Sequence, residues 1–314
     1  MLSLKFNNAL VISFCFVVST IYAQSPDSRK LLLRDEGLSK LSYVDLAEPL
    51  KSWHVSVPAG RDMQLIGNAR ILIGTGDGYE EREIKNGDKV RSVTGFAGTV
   101  TARMLRNGNI LLTSLNSHDK KGIVLTETDK DGTIKKQLNF PEFNYVRLVR
   151  ETASGNYLVT ANKVVFETDQ TGRIIWRANL VGPTNTNSWQ ALRLSNGQTI
   201  VSAGYAANFQ IFDQDGNAEG VIAGPTDINP SFFAGFQILP NGNYVVSNWQ
   251  GHGPDFGRSG HQVVEYSPDG DRVWSWKQDA TKFSSIQGVL VLDGLDTKQA
   301  YIENAKGVLE ALEK

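Results

Sequence analysis

Ile238-Leu239-Pro240-Asn241-Gly242-Asn243-Tyr244-Val245-Val246, then Val263-Val264-Glu265-Tyr266 and Asp269-Gly270-Asp271-Arg272-Val273-Trp274, is the stretch on which the reading of this chain turns. Asn241-Gly242 between two apolar runs is a strong hairpin signal, because both residues tolerate the positive φ of a type I′ turn. Asp269-Gly270 then separates a third apolar run from a fourth. Two hairpins in succession make four antiparallel strands.

The same order recurs along the chain. Met104 to Leu112 around Asn107-Gly108, and Leu194 to Val201 around Asn196-Gly197, repeat the first hairpin. Ser154-Gly155-Asn156 and Ile66-Gly67-Asn68 are variants. The second turn returns as Asn86-Gly87, Asp131-Gly132, Thr171-Gly172 and Asp215-Gly216. Matching glycines lie 40 residues apart between Gly132 and Gly172 and 54 between Gly216 and Gly270. Four strands at that period make a β-propeller blade. A β-sandwich of similar strand content offers no reason for two turns to recur in one order.

The ends supply the closure. Lys30–Arg34, Leu41–Leu46 and Trp53–Val57 read as the second to fourth strands of a blade that lacks its first. Ser285–Asp293 reads as a first strand without the others. Pairing them removes two open edges. The expectation is an all-β, six-bladed propeller, with blades starting near Arg61, Gly98, Asn144, Ser188 and Phe232 plus the closing one. The tail Thr297–Lys314 fits less well; as a further hairpin it keeps seven blades as the alternative. No Pro- or Ser-rich linker intervenes, so residues 24–314 read as one domain.

Thr171-Gly172-Arg173-Ile174-Ile175-Trp176 and Asp269-Gly270-Asp271-Arg272-Val273-Trp274 share a Gly-x-x-x-Trp pattern, with Trp53 at the matching place in the closing blade. The pattern resembles the PQQ-like (quinoprotein-type) propeller repeat superfamily, with a likeness to arylsulfotransferase-like propellers. The resemblance implies that Trp53, Trp176 and Trp274 pack between blades. Arg91, Lys136 and Gly220 replace the tryptophan elsewhere. The vicinal cysteine pair of quinoprotein alcohol dehydrogenases is absent, so bound PQQ is not expected. Such a fold does not name a function.

Residues 1–23 read as a signal peptide. Lys5 supplies the positive start, Ala9–Thr20 the apolar run, and Ile21-Tyr22-Ala23 the cleavage box. The run is short for a membrane span, so a secreted or periplasmic protein with no span in its mature form is expected. Cys15 is the one cysteine, so the mature chain is cysteine-free. That excludes disulfides, thiol nucleophiles and thiolate metal sites. A formal charge of −1 without a basic stripe argues against nucleic acid.

In an up-and-down blade the tight glycine turns share one face. The other face carries the variable loops, where function is usually grafted. There the blade-five loop, Asn248 to His261, brings together Trp249, His252, Asp255, Arg258 and His261. His252 suits a general base near neutral pH, with Asp35, Asp77 or Arg258 assisting. Glu36 is a further carboxylate on that face, and His261 suits a structural role. Tyr145, Trp189, Tyr205 and Trp249 offer CH-stacking platforms for a sugar ring. Asn144, Asn208, Asn248, Asp255 and Gln287 offer partners for its hydroxyls.

Other motifs lack context. Gly74-x-Gly76 is followed by no helix. Asp129-Lys130-Asp131-Gly132 and Asp213-Gln214-Asp215-Gly216 lack the remaining ligands of a calcium loop and read as hairpin turns. His118 and His252 can meet across a channel around a divalent metal, but no spacing requires it, so no metal residues and no cofactor are assigned. The expected function is binding of a carbohydrate or related polar small molecule on the loop-rich face. A glycan- or glycoside-active hydrolase or lyase on that face, and a protein–protein scaffold, are the alternatives.

Overall fold

A computed structural model describes residues 28–117, 119–224 and 226–312. The expected signal peptide, Cys15 and His118 lie outside the described residues. The first strands are β1 (Lys30–Asp35), β2 (Lys40–Asp45) and β3 (Trp53–Ser56). Next come β4 (Met63–Leu65), β5 (Arg70–Gly74), β6 (Gly76–Glu83), β7 (Lys89–Met104), β8 (Ile110–Leu115), β9 (Ile123–Thr128) and β10 (Ile134–Phe140). They are followed by β11 (Val149–Glu151), β12 (Tyr157–Ala161), β13 (Val164–Thr168) and β14 (Ile174–Asn179). The next group is β15 (Thr186–Arg193), β16 (Thr199–Gly204), β17 (Asn208–Phe212) and β18 (Ala218–Ala223). The last are β19 (Phe232–Ile238), β20 (Tyr244–Trp249), β21 (Val263–Tyr266), β22 (Arg272–Trp276), β23 (Ile286–Val291), β24 (Tyr301–Glu303) and β25 (Leu309–Ala311). No helix among the described residues is long and apolar enough to cross a membrane.

The chain ends share a sheet in the order β23-β1-β2-β3. Leu31 pairs with Val291 and Leu33 with Val289. Why β1 is an unbroken apolar run follows from what lies on either side. Leu31 and Leu33 pack with Val245, Val263 and Ile286. Leu32, pointing the other way, packs with Met63, Ile71 and Leu290. A strand alternates its side chains between two faces, and here both faces are covered.

That arrangement repeats around the molecule. Ile71 faces back to the first sheet while Leu72 packs forward on Ala102 and Leu112. Leu111 meets Val159 and Phe166, and Leu158 meets Ala191 and Val201. Leu192 and Phe209 meet Phe233 and Val246. Val245 then returns to Leu31 and Leu33. Cores that lie between successive sheets and come back to the first define a β-propeller. Glutamines on inner strands tie the channel wall together: Gln190 Oε1 accepts from Phe236 N at 3.0 Å, and Gln237 Oε1 from Val291 N at 2.7 Å.

As hydrogen-bonded units, the described residues form four sheets of four or more strands and one two-stranded sheet, not six separate sheets. The reason is continuity. The 16-residue β7 is the outer partner of β6 and the inner partner of β8, so it fuses two strand groups. A single Gly204–Phe233 pair joins β16 to β19. The tail makes the hairpin β24-β25, a separate two-stranded sheet and not a four-stranded blade.

The turns also depart from expectation. Gly242 has φ +88°, but Asn241 is not at positive φ. Gly242 N donates to Leu239 O at 2.8 Å, and Asn243 N donates to Asn241 Oδ1 at 3.1 Å. This is a type I turn closed by a left-handed glycine, not type I′. The asparagine is selected for its side-chain acceptor. Asp129 plays the same part in its turn, accepting from Asp131 N and Thr133 N. With Lys135 beside it, its carboxyl is held down to about 2.

Candidate functional site

The loop-rich face ends in a shallow recess over one end of the channel. Three kinds of segment build it. Second strands and the loops after them bring Glu36, Tyr205, Trp249 and His252; blade-to-blade connections bring Arg61, Tyr145 and Arg147; inner strands bring Asn187, Trp189, Phe232 and Gln287.

Its wall is a chain of edge-to-face aromatics, of which Trp189, Phe232 and Trp249 are buried and Tyr205 is exposed. Ring centroids lie 5.3 Å apart for Trp189–Phe232, 4.7 Å for Tyr205–Phe232 and 5.3 Å for Phe232–Trp249. Such geometry holds each ring in place through its neighbour. Trp249 is followed by His252 at 4.6 Å. Glu36 ties the two: its Oε1 lies 2.9 Å from His252 Nδ1, and its Oε2 accepts from Trp249 Nε1 at 3.3 Å. On the far side, the Arg147 guanidinium sits 3.7 Å over the Tyr145 ring, and Asn187 Nδ2 donates to the Tyr145 hydroxyl at 3.3 Å. Burial pushes Tyr145 up, opposed by the charges of Arg147 and Arg61.

The blade-five loop reaches the recess because its backbone folds tightly. Gly251 has φ +147°, and a Cβ there would lie 2.4 Å from the Phe256 ring. Only glycine permits both the conformation and the approach. The loop is anchored beneath by Ser285 Oγ, which accepts from Gln250 N and Gly251 N at 3.1 Å each.

Of the residues singled out in the sequence, Glu36, Tyr145, Trp189, Tyr205, Trp249, His252 and Gln287 line the recess. Several others do not. Asp35 is fully buried and accepts from Leu38 N, Ser284 N and Ser285 N at 3.1, 2.7 and 3.1 Å, so it holds backbone and is not placed as an acid or base. Asn248 is likewise fully buried; its Oδ1 accepts from Ser231 N and its Nδ2 donates to Asn229 O and His261 O. Asp77, Arg258, Asp255 and Asn144 are exposed and Asn208 half-buried, and none of the five lines the recess. The four residues considered for catalysis therefore do not converge; Glu36 stands beside His252 where Asp35, Asp77 or Arg258 was expected.

Arg147, Asn187 and Phe232 belong to the recess, as does Arg61, but were not assigned to ligand binding from sequence. The available signal was position, since Arg147 lies two residues after Tyr145 in the same connection. His261 faces Ser275 Oγ at 2.8 Å, and burial lowers its pKa. Trp53 Nε1 donates to Ile84 O and Trp176 Nε1 to Asp213 O, each across to the next strand group, while Arg29 covers Trp274 at 4.5 Å. Among the described residues no three His, Cys, Asp or Glu side chains are grouped to hold a metal.

No family model matches the chain, nor does any curated protein sequence. Solved structures match in shape. A protein of unknown function from Bacteroides caccae superposes with a TM-score of 0.66 at 22% identity, over 84% of this chain and 98% of that one. A streptogramin B lyase does so at 0.54 and 15% identity, covering 89% and 88%. The calcium-binding protein regucalcin from Agrobacterium tumefaciens gives 0.55 at 13% identity, covering 83% and 94%. The fold they share with this chain is the β-propeller.

Proposed function

We propose that this chain is an extracytoplasmic β-propeller that binds a carbohydrate or related polar ligand in the recess of its loop-rich face. One observation carries the reading: a concave site whose wall is a continuous run of aromatic rings and whose rim is amide, carboxylate and guanidinium. A sugar ring presents apolar CH faces and polar hydroxyls together; the exposed Tyr205 ring, backed by the buried Trp189, Phe232 and Trp249, offers the apolar partner and the polar rim the other. The extracytoplasmic part rests on the leader pattern of residues 1–23. Counted by the cores between strand groups, with the seven- and eight-stranded sheets each taken as two, the propeller has six blades. The PQQ-like affinity rests on the Gly-x-x-x-Trp pattern at Trp176 and Trp274 and brings no cofactor with it.

A second reading has its own observation. His252 is held by Glu36 at 2.9 Å, and a carboxylate on Nδ1 leaves Nε2 facing outward as a base. A hydrolase or lyase acting on a glycan would use that pair. Both readings are tested by a glycan panel read for thermal shift and for turnover, with Trp249→Ala and His252→Ala alongside. Binding lost in Trp249→Ala, without turnover, is expected. Turnover lost in His252→Ala would establish the enzyme. No shift with any glycan would leave the protein-scaffold reading ahead.

A further inference from the structure

The recess holds two guanidiniums, Arg61 and Arg147, both half-buried. Neither has a carboxylate within ion-pairing distance among the described residues, and Arg61 makes no hydrogen bond to protein there. Arg147 Nη1 donates only to the carbonyl of its neighbour Val146, and its Nε is buried without a partner. The one carboxylate in the lining, Glu36, is engaged by His252 and Trp249. Its charge acts on Arg61 from a distance.

Apart from Arg34, the other buried and half-buried arginines among the described residues are matched or reach a carboxylate, as four show. Arg29 pairs with Glu265, Arg82 with Glu80, Arg150 with Asp62 and Arg193 with Glu167. Arg34 is the exception: fully buried beside the same face, it donates to the Pro58 carbonyl but makes no ion pair, and its Nη1 has no partner. In the recess, two unpaired guanidiniums share one lining that is open to a ligand. Burial, then the charge of Arg61, brings Arg147 down to about 10. Burial likewise lowers Arg61. Holding unpaired cations out of water is unfavourable unless something answers them. Rings support them in the meantime, Tyr145 and Trp189 under Arg147 and Trp189 under Arg61.

We infer that the ligand of this recess is an anionic saccharide, whose carboxylate or sulfate group sits between Arg61 and Arg147 while its ring lies against the exposed Tyr205. The inference rests on the carbohydrate reading above and narrows it to acidic sugars. Guanidinium forks match both oxyanions in geometry and charge.

The test is calorimetric titration of the mature protein with an oligogalacturonate, a sulfated galactan oligomer and a neutral galactan oligomer of equal length. The acidic probes are expected to bind about tenfold or more tightly than the neutral one, and Arg147→Met to remove that advantage. Arg173→Met, on the opposite face, should change nothing. Whichever acidic probe binds more tightly identifies the anion. The advantage should shrink as salt rises. Thermal melts of each variant confirm folding, which the loss of an unpaired, half-buried charge should not impair. Equal binding of neutral and acidic oligomers, unchanged in Arg147→Met, overturns the inference and leaves the carbohydrate reading standing. Failure of every sugar, while a simple aromatic carboxylate binds through Arg147, overturns both.

Discussion

The two ends of the central channel are built from the same residue types to opposite effect. At the loop-rich end, Arg61 and Arg147 face a recess without a carboxylate of their own. At the other end, the β24-β25 hairpin delivers Glu303 to Arg103 at 2.5 Å and to Arg150 at 3.0 Å, and Asp62 meets Arg150 at 2.7 Å. The hairpin is held by backbone as well. Gln64 Nε2 donates to Tyr301 O, Arg106 Nη2 to Glu303 O, and Ser195 N to Ala305 O. One end is neutralised and closed; the other is charged and open. The closed end is paired by its own carboxylates, and the two guanidiniums of the open end are not.

Substitutions at the two ends should therefore differ most. Glu303→Gln leaves Arg103 and Arg150 short of an anion inside the channel, and should cost about 3–5 kcal/mol in denaturant unfolding. A cost under about 1 kcal/mol would mean that the closed end does not depend on its charges.

Acid should act on the same end. Burial alone would raise Glu303, but Arg103 and Arg150 overcome it and hold the carboxyl at about 2. A carboxyl depressed in the folded state adds stability that is complete above its unfolded pKa and is lost as pH falls toward the folded one. Stability should decline between about pH 4.5 and 2, and this part of the decline should be missing in Glu303→Gln. Melting curves across that range check it, and parallel curves would break the assignment.

The smallest effect is expected at the open end. Arg147→Met gives up its stack on Tyr145 but also removes a desolvated charge, so unfolding should shift by about 1 kcal/mol or less in either direction. A loss as large as that of Glu303→Gln would erase the distinction between the ends.

Some of this was legible in advance. The turn glycines, from Gly67 to Gly270, and the apolar runs of β1 and β23 point to a closed ring of repeated hairpins. Local chemistry and a periodicity suffice for that. Tyr145, Trp189, Tyr205, Trp249 and His252 were legible as a group, because variable loops at one end of a repeat converge. Asp35 and Asn248 were not, since an acceptor that binds a ligand and one that caps backbone look alike in a sequence. What decided Asp35 was the amides of Ser284 and Ser285, 249 and 250 residues away.

By itself, then, the sequence determined an all-β chain of repeated double hairpins whose ends belong to one sheet, because turn propensity and strand alternation are encoded within a few residues of each other. Tertiary structure decided that β7 runs through two strand groups, that the tail closes one end of the channel, and which charges find partners. Pairing between Arg150 and Glu303, or its absence at Arg147, depends on distances between segments far apart in the chain, and only the closed ring sets those distances.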